Sequence, residues 1–542
     1  MNGPGMVRWS ATLTESRAHA GVAARRYGVP PTMIETAARR RSAGDWRGAC
    51  AAAGVDVFFD PDSVRREHGA ATADSLAADL HALAPDLLRW HLPRRCHGAG
   101  GLLEGLLVPL AEYGDAGAGV VLAAATPGFA LAAGERIVLV LLNSRSRGGR
   151  TAAGPAVSAV LGAVHRRSAE RYDLRRYRMF WDAERAAELG SLCSDGTGGD
   201  GDGDGDREAG LLRLQDAGHA GEAWAAAGWN VVFGAAPGSP AAGGPAVTAQ
   251  EQRRLQQWLA TLPVNLPGLA RRVRDSLPGA DQAVIRCGSG TLVLSGLADG
   301  AARAAVVVPP RHARTLRSGT PVVPDAAWTR PVDADLLRLG VLAAHELHPL
   351  VARALAGDAA EASGSGEWRY STPLGIEAQY ADTRGARQSA VIVRCGGDLH
   401  RVARLDGRWQ PVDHDEHGAR EMLLGRLGGP MNPCRTAAEH LGSGRHVIEL
   451  VARLLEHGRA DEAVNLLQEH ADTVTAPEEY VLPEGGTVGQ ALELLRQNML
   501  RLRMTRAGAP PSQPLHTVRG FPPHSSCRRS RKGEPARTKT SR

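Results

Sequence analysis

Three clusters in the sequence carry side chains at spacings that could hold a metal ion. Asp200-Gly-Asp-Gly-Asp-Gly205 alternates carboxylates with glycines, as the opening of a calcium loop does to converge its oxygens on one ion. The twelfth position of such a loop needs a bidentate Glu; here it is Leu211, and Glu208 comes too early. The run therefore reads as a solvated Gly/Asp linker. The Gly196-x-Gly198-x-x-Gly201 spacing inside it follows no strand that would make it a dinucleotide turn. In His345-Glu346-Leu347-His348 the histidines are three apart and Pro349 follows at once, whereas a zinc-protease helix needs them four apart with Glu between. Asp413-His414-Asp415-Glu416-His417 is denser in ligands but sits in a polar strand-to-helix connection, where such residues are ordinarily solvated or cap the helix. Neither a metal nor a cofactor is expected from these patterns.

Lysine chemistry is excluded more firmly. Lys532 and Lys539 are the only lysines, so 62 of the 64 cationic residues are arginine. A P-loop, a protein kinase, a pyridoxal-phosphate enzyme and a serine/lysine hydrolase each bring an ammonium group to the reacting atoms, and this chain has none outside its last stretch. Gly-x-Ser-x-Gly is absent as well. From His165 to Trp181, arginines interleave with Tyr172, Tyr177, Phe180 and Trp181, a mixture that could pair phosphates and stack bases. The simpler expectation is an interdomain element with buried rings and with arginines meeting Glu170, Asp173 and Asp182.

The best functional signal lies near the start, in Val22-Ala-Ala-Arg-Arg-Tyr-Gly-Val-Pro-Pro-Thr-Met-Ile-Glu-Thr-Ala-Ala-Arg-Arg-Arg41. Ala24 would let two helices approach, Gly28 would turn the chain, and Tyr27, Val29 and Ile34 would pack the pair. Over these twenty residues the segment resembles the bacterial helix-turn-helix pattern. The resemblance implies that Thr32, Met33, Arg39, Arg40 and Arg41 face a DNA groove and its phosphates.

These residues need a scaffold, and the sequence predicts an α+β one. Ala43–Phe59 and Ala217–Phe233 match without gaps over 17 residues with nine identities, each reading as an Ala-rich helix, a capping glycine (Gly54, Gly228) and an extended apolar run. Weaker likenesses follow in the same order: Leu83–Arg89 with Leu262–Leu266, a strand pair over Val120–Leu131 with one over Val284–Leu294, a strand at Ile137–Leu142 with one at Ala304–Val308, and a helix containing Val160–His165 with one containing Val341–His345. The expectation is a tandem-duplicated α+β unit with antiparallel hairpins, then a helical C-terminal region and a disordered tail. The predicted divisions are an N-terminal helical segment (1–41), a first unit (42–193), the Gly/Asp linker (194–209), a second unit (210–360), an antiparallel meander (361–417), a helical region (418–504) and the tail (505–542). Val447, Ile448, Val451, Leu454 and Leu455 stripe one late helix, and Thr487-Val-Gly-Gln490 opens another through Met504.

Charge is unevenly placed along this plan. The formal net charge is +6, but the segment from Arg506 onward holds nine cations against Glu534, which leaves the body at −2. A slightly acidic body has no global footprint for nucleic acid. Seven scattered cysteines with no CxxC pair predict thiols in a reducing compartment, and the first residues lack the apolar run of a secretory signal. Ala116–Gly134 is uncharged but Gly/Ala-rich and interrupted by Thr126-Pro127-Gly128, which reads as strand, turn, strand rather than a membrane helix. Together these features predict a cytoplasmic regulatory or interaction protein with DNA or another protein as partner and no membrane contact. The alternatives are an enzyme with a site between the two units, built on His165 or His345, and a structural scaffold.

Overall fold

The computed structural model describes residues 10–466 apart from short breaks and the longer stretches 144–154, 194–202, 235–246, 310–319, 358–367, 381–389 and 413–432. The expected helix through Met504, the tail, and the Asp413–His417 cluster lie outside the described residues.

The chain is α+β. Helix α1 (Glu15–Ala23) runs into a π-helical turn (Ala24–Gly28), α2 (Pro31–Ser42) begins on proline, and α3 (Trp46–Ala52) follows. Proline suits the start of α2 because an N–H there would have no intrahelical acceptor. Asp45 caps α3 by accepting from the Gly48 amide at 2.8 Å. Gly54, at φ 67°, supplies the left-handed turn after α3, as the sequence predicts. Next come β1 (Val55–Val57), α4 (Pro61–His68), α5 (Ala70–Ala82), α6 (Pro85–His91), β2 (Leu107–Tyr113), β3 (Val120–Ala125), α7 (Gly128–Ala132), β4 (Ile137–Asn143) and α8 (Pro155–Gly162). The sheet order is β1-β4-β3-β2, with β1 parallel to β4 and the other pairs antiparallel.

Helices α9 (Ser168–Arg171), α10 (Leu189–Cys193), α11 (Gly203–Asp216) and α12 (Ala220–Ala226) lead to β5 (Asn230–Phe233). Then follow α13 (Ala249–Ala260), α14 (Leu269–Ser276), β6 (Gln282–Cys287), β7 (Gly290–Ser295), β8 (Ala304–Val308), α15 (Asp325–Trp328), α16 (Val332–Arg338) and α17 (Pro349–Ala356). This second sheet runs β5-β8-β7-β6, with β5 parallel to β8 and the rest antiparallel, the same order and senses as the first.

Strand alternation gives each sheet two apolar faces. Leu122, Ala124, Ile137 and Leu139 of the first sheet and Ala283, Ile285, Leu292 and Val307 of the second enter one continuous core with Leu87, Trp181, Trp224 and Trp328. The opposite face of the first sheet, Ala123, Ala125, Val138 and Val140, is covered by Val157 and Val160 of α8. A third sheet is an antiparallel meander of β9 (Trp368–Ser371), β10 (Glu377–Tyr380), β11 (Ala390–Cys395), β12 (Asp398–Leu405) and β13 (Arg408–Pro411). Helix α18 (Pro433–Gly442) packs on it through Ala437, Ala438 and Leu441, and α19 (Arg445–Glu456) buries Val447, Val451 and Leu454 of the predicted apolar stripe.

Four local expectations are corrected. Ala116–Gly134 is not strand, turn, strand: β3 ends at Ala125, and Pro127-Gly128 starts a short helix because proline favours a first helical turn. The hairpin of the first sheet is β2–β3, so β2 and β3 occupy the places of β6 and β7. Helix α11 begins at Gly203, inside the expected linker. Val341–His345 is a turn entering a short 3-10 helix (Ala344–Glu346), not a continuous helix. Among the described residues no helix is long and apolar enough to cross a membrane.

Candidate functional site

Helices α1 and α2 flank the turn at Gly28, and their inner side is packed into the molecule. Ala24 and Val29 are buried, and Val29 and Ile34 pack into the main core rather than only against the partner helix. Tyr27 faces the other way, towards Val447, Val451 and Leu454 of α19. Gly28 does not take a positive φ; it is small because the turn is crowded. A Cβ there would lie 2.8 Å from Arg94 Nη1 and 3.2 Å from His457 Nδ1. Gly28→Val is therefore expected to destabilise the fold by about 1–3 kcal/mol through overpacking, read as a lowered urea midpoint with unchanged m.

Arg25 and Arg26 of the π turn point inward. Arg25 donates to both carboxylate oxygens of Asp333 (2.9 and 3.2 Å), which also accepts from Trp90 Nε1 at 3.2 Å. Burial alone would raise Asp333, but the Arg25 guanidinium outweighs it and holds the carboxyl below its ordinary range. Arg26 donates to Glu346 at 2.6 Å, and Glu346 accepts in turn from the Ala343 amide. The arginines preceding Gly28 thus tie the helical pair to α16 and to the 3-10 turn after it.

Two further buried nodes lie on α6. Asp86 accepts from His348 Nε2 at 2.9 Å, while the Leu350 amide donates to His348 Nδ1 at 3.2 Å. Both ring nitrogens are therefore engaged, and the imidazole is held as the Nε2–H tautomer. Arg89, 2% exposed, donates to Gly28 O, Glu135 O and Glu135 Oε2. Glu135 also accepts from the Leu102 amide at 2.6 Å and bonds His457 Nδ1 at 3.2 Å. Burial pushes the Glu135 carboxyl up, but His457, Arg89 and Arg94 more than offset that and hold it at about 2. His91 is driven down to about 3, chiefly by burial, and its Nε2 has no hydrogen-bond partner among the described residues.

The five residues placed at the DNA surface divide. Thr32, Arg39 and Arg40 are exposed on α2, and Arg40 pairs with Asp45 at 3.1 Å. Met33 packs against the main core. Arg41 turns towards buried Asp86 at 3.7 Å, a distance suited to attraction but too long for a hydrogen bond. Glu35 is exposed on the same helix.

His165 and His345 are both exposed, and the two histidines of the His345–His348 motif diverge, one to solvent and one to Asp86. Among the described residues no group of three His, Cys, Asp or Glu could hold a metal. Cys434, fully buried among Val393, Val402 and Ala437, has its Sγ within hydrogen-bonding distance of His400 Nδ1 at 3.7 Å. Burial pushes the Cys50 thiol up to about 12, far from a reactive thiolate.

In the His165–Trp181 segment the simpler expectation is met in part, with Tyr172 and Phe180 only half-buried and the arginines paired with aspartates. Tyr177 and Trp181 are buried, Arg171 pairs with Asp325, Arg175 with Asp173, and Arg178 with Asp79 and Asp182. Sequence reasoning did not find Asp86, Glu135, Asp333, His348 and His457. The one available hint was Glu135-Arg136, a lone charged pair between two apolar runs.

Compared with protein-family models, with curated proteins and with solved structures, the chain matches none.

Proposed function

We propose that the protein is a regulatory or interaction protein that meets its partner through the outer face of α2, with DNA phosphates as the chemistry that face suits best. The carrying observation is the division of one helix: its inner side is fixed through Met33, Ala37 and Arg41, while Thr32, Arg39 and Arg40 stand outward. Exposed guanidiniums and a hydroxyl on a rigid helix suit phosphate and groove contacts. A non-catalytic role is supported by His348, whose two ring nitrogens are both engaged within the fold. The matching order of the two sheets supports reading them as copies of one unit. A cytoplasmic location is part of the proposal, supported by Cys50, Cys287 and Cys434, none of which is in a disulfide.

Removing residues 1–41 would also remove Arg25 and Arg26 from the interior, so point variants are the cleaner test. Arg39→Gln is expected to weaken binding to random duplex DNA and reduce the slope of log K against log salt by about 0.9, one phosphate contact. Glu35→Gln, which removes a repelling carboxylate from the exposed surface of α2, is expected to tighten binding. If neither change moves affinity or slope, α2 is not the DNA surface.

A further inference from the structure

The basic surface of α2 does not end with the helix. After Ser42 the chain turns at once into α3: the Gly44 amide donates to Arg41 O at 2.8 Å and the Asp45 amide to Arg40 O at 2.9 Å, so Arg39 to Arg47 form one tight elbow. Gly44 makes the turn in the left-handed region at φ 76°. Apart from its neighbours in the chain, no described atom lies within 4 Å of where its Cβ would stand, so the crest of the elbow is open backbone. Around it Arg39, Arg40 and Arg47 are exposed. The carboxylate among them, Asp45, is engaged by Arg40 at 3.1 Å and by the Gly48 amide at 2.8 Å. Arg41 turns inward to Asp86 and adds nothing to this surface.

Beside these cations stands an aromatic ring. Trp46 packs against the main core yet is only half-buried, and the exposed Arg47 lays its guanidinium over the ring, 4.5 Å from the centroid. A π surface and exposed cations within one turn of chain are the two parts from which a stacking platform for bases is made. The ring also decides which form of DNA fits. In a duplex the base faces are covered by their neighbours, and only base edges and phosphates reach a protein surface. In a single strand the faces are free, and a base stacked on an indole covers more of the ring than an exposed guanidinium does. Arg47, displaced from the ring, is then released to an adjoining phosphate. The body's net charge of −2 does not cancel this local cluster, because salt screens exposed charges beyond about 10 Å.

We propose that the elbow between α2 and α3 binds single-stranded DNA, one base stacking on Trp46 and the flanking phosphates meeting Arg39 and Arg47. The assignment rests on the reading of α2 as a DNA-binding face and narrows it to an unpaired strand.

The test is fluorescence anisotropy of the full chain with a labelled short oligothymidylate and with a labelled duplex of the same length. The nine cations from Arg506 onward add a background to each probe that cancels between parent and variant. Trp46→Leu is expected to weaken oligothymidylate binding about tenfold, the loss of one base stack, and to leave duplex affinity unchanged. Arg47→Gln is expected to weaken the single strand as well and to lower its salt slope by about 0.7, one phosphate contact, a slope that Trp46→Leu leaves alone. If Trp46→Leu unfolds, Trp46→Phe keeps a ring against the core and loses part of the stack, and Arg47→Gln, at an exposed position, still makes the comparison. Weakening of both probes alike by the Trp46 variant, or of neither, overturns the single-strand assignment. The reading of α2 survives that result if Arg39→Gln still weakens duplex binding; if Arg39→Gln changes neither probe, both fall.

Discussion

Glu135→Ala is expected to lower the stability of the protein by about 3–5 kcal/mol, the effect of removing one partner from a buried ion pair. Arg89 would keep its bonds to Gly28 O and Glu135 O but lose its counter-charge inside the fold. The Leu102 amide would lose its acceptor, and His457 its carboxylate. Three segments meet at this residue: the turn of the N-terminal pair, the entry to β4, and the end of α19. Glu135→Gln keeps the shape but not the charge and should cost less than alanine. Glu135→Gly separates the backbone from the side chain. Glu135 sits at φ 51°, the one described non-glycine residue with positive φ, and a left-handed L-residue carries about 1–2 kcal/mol of strain. Glycine relieves that strain yet loses the carboxylate, so its net cost should fall below that of alanine by about 1 kcal/mol. Urea unfolding of the three variants reads all of this. A cost under about 1 kcal/mol for alanine would mean that Arg89 finds another partner and that the node does not tie the segments together.

How much of this was legible in the sequence depends on the range of the interaction. Gly54 and Gly228 announced two helix ends because a left-handed C-terminal glycine is a local requirement, and both have positive φ. The meander could be read because turn signals recur between short extended runs, and β9–β13 fall within the expected 361–417. Periodicity likewise exposed the apolar stripe of α19. Errors arose where local composition admitted two answers: Thr126-Pro127-Gly128 fits a β-turn as well as a helix start, and alternating Gly and Asp hid the beginning of α11. The candidate surface was half legible. The pattern of Ala24, Gly28 and Val29 located the helical pair, but outward and inward arginines look alike in sequence. Arg25 meets Asp333 across 308 residues and Arg26 meets Glu346 across 320. No window-based reading reaches such pairs, because nothing nearby in the chain constrains them.

Acid should destabilise the protein in two overlapping windows, and His91 and Glu135 define them. In the unfolded chain His91 titrates near 6.5; in the fold, burial and the neighbouring Arg25, His348 and Arg94 outweigh the attraction of Asp333 and hold it near 3. Between those values the unfolded state binds a proton that the native state refuses, so stability falls as pH falls. Glu135 acts in the same direction lower down, between its unfolded value of 4.5 and its native value of about 2. Each group contributes a slope of at most about 1.4 kcal/mol per pH unit. The decline due to His91 therefore starts near pH 6.5, and Glu135 steepens it below pH 4.5. His91→Leu removes the upper window. Leucine keeps an apolar contact where the imidazole now meets Phe180 edge-on at 4.9 Å, and it leaves no buried Nε2 without a partner. The parent-minus-variant difference in unfolding free energy isolates His91 from the other histidines. That difference should be flat above pH 7 and should slope between pH 6.5 and 4.5, with the variant gaining relative stability as pH falls. A flat difference across the whole range would mean that water reaches the ring and that the interior around Arg25, Trp90 and Asp333 is open to protons.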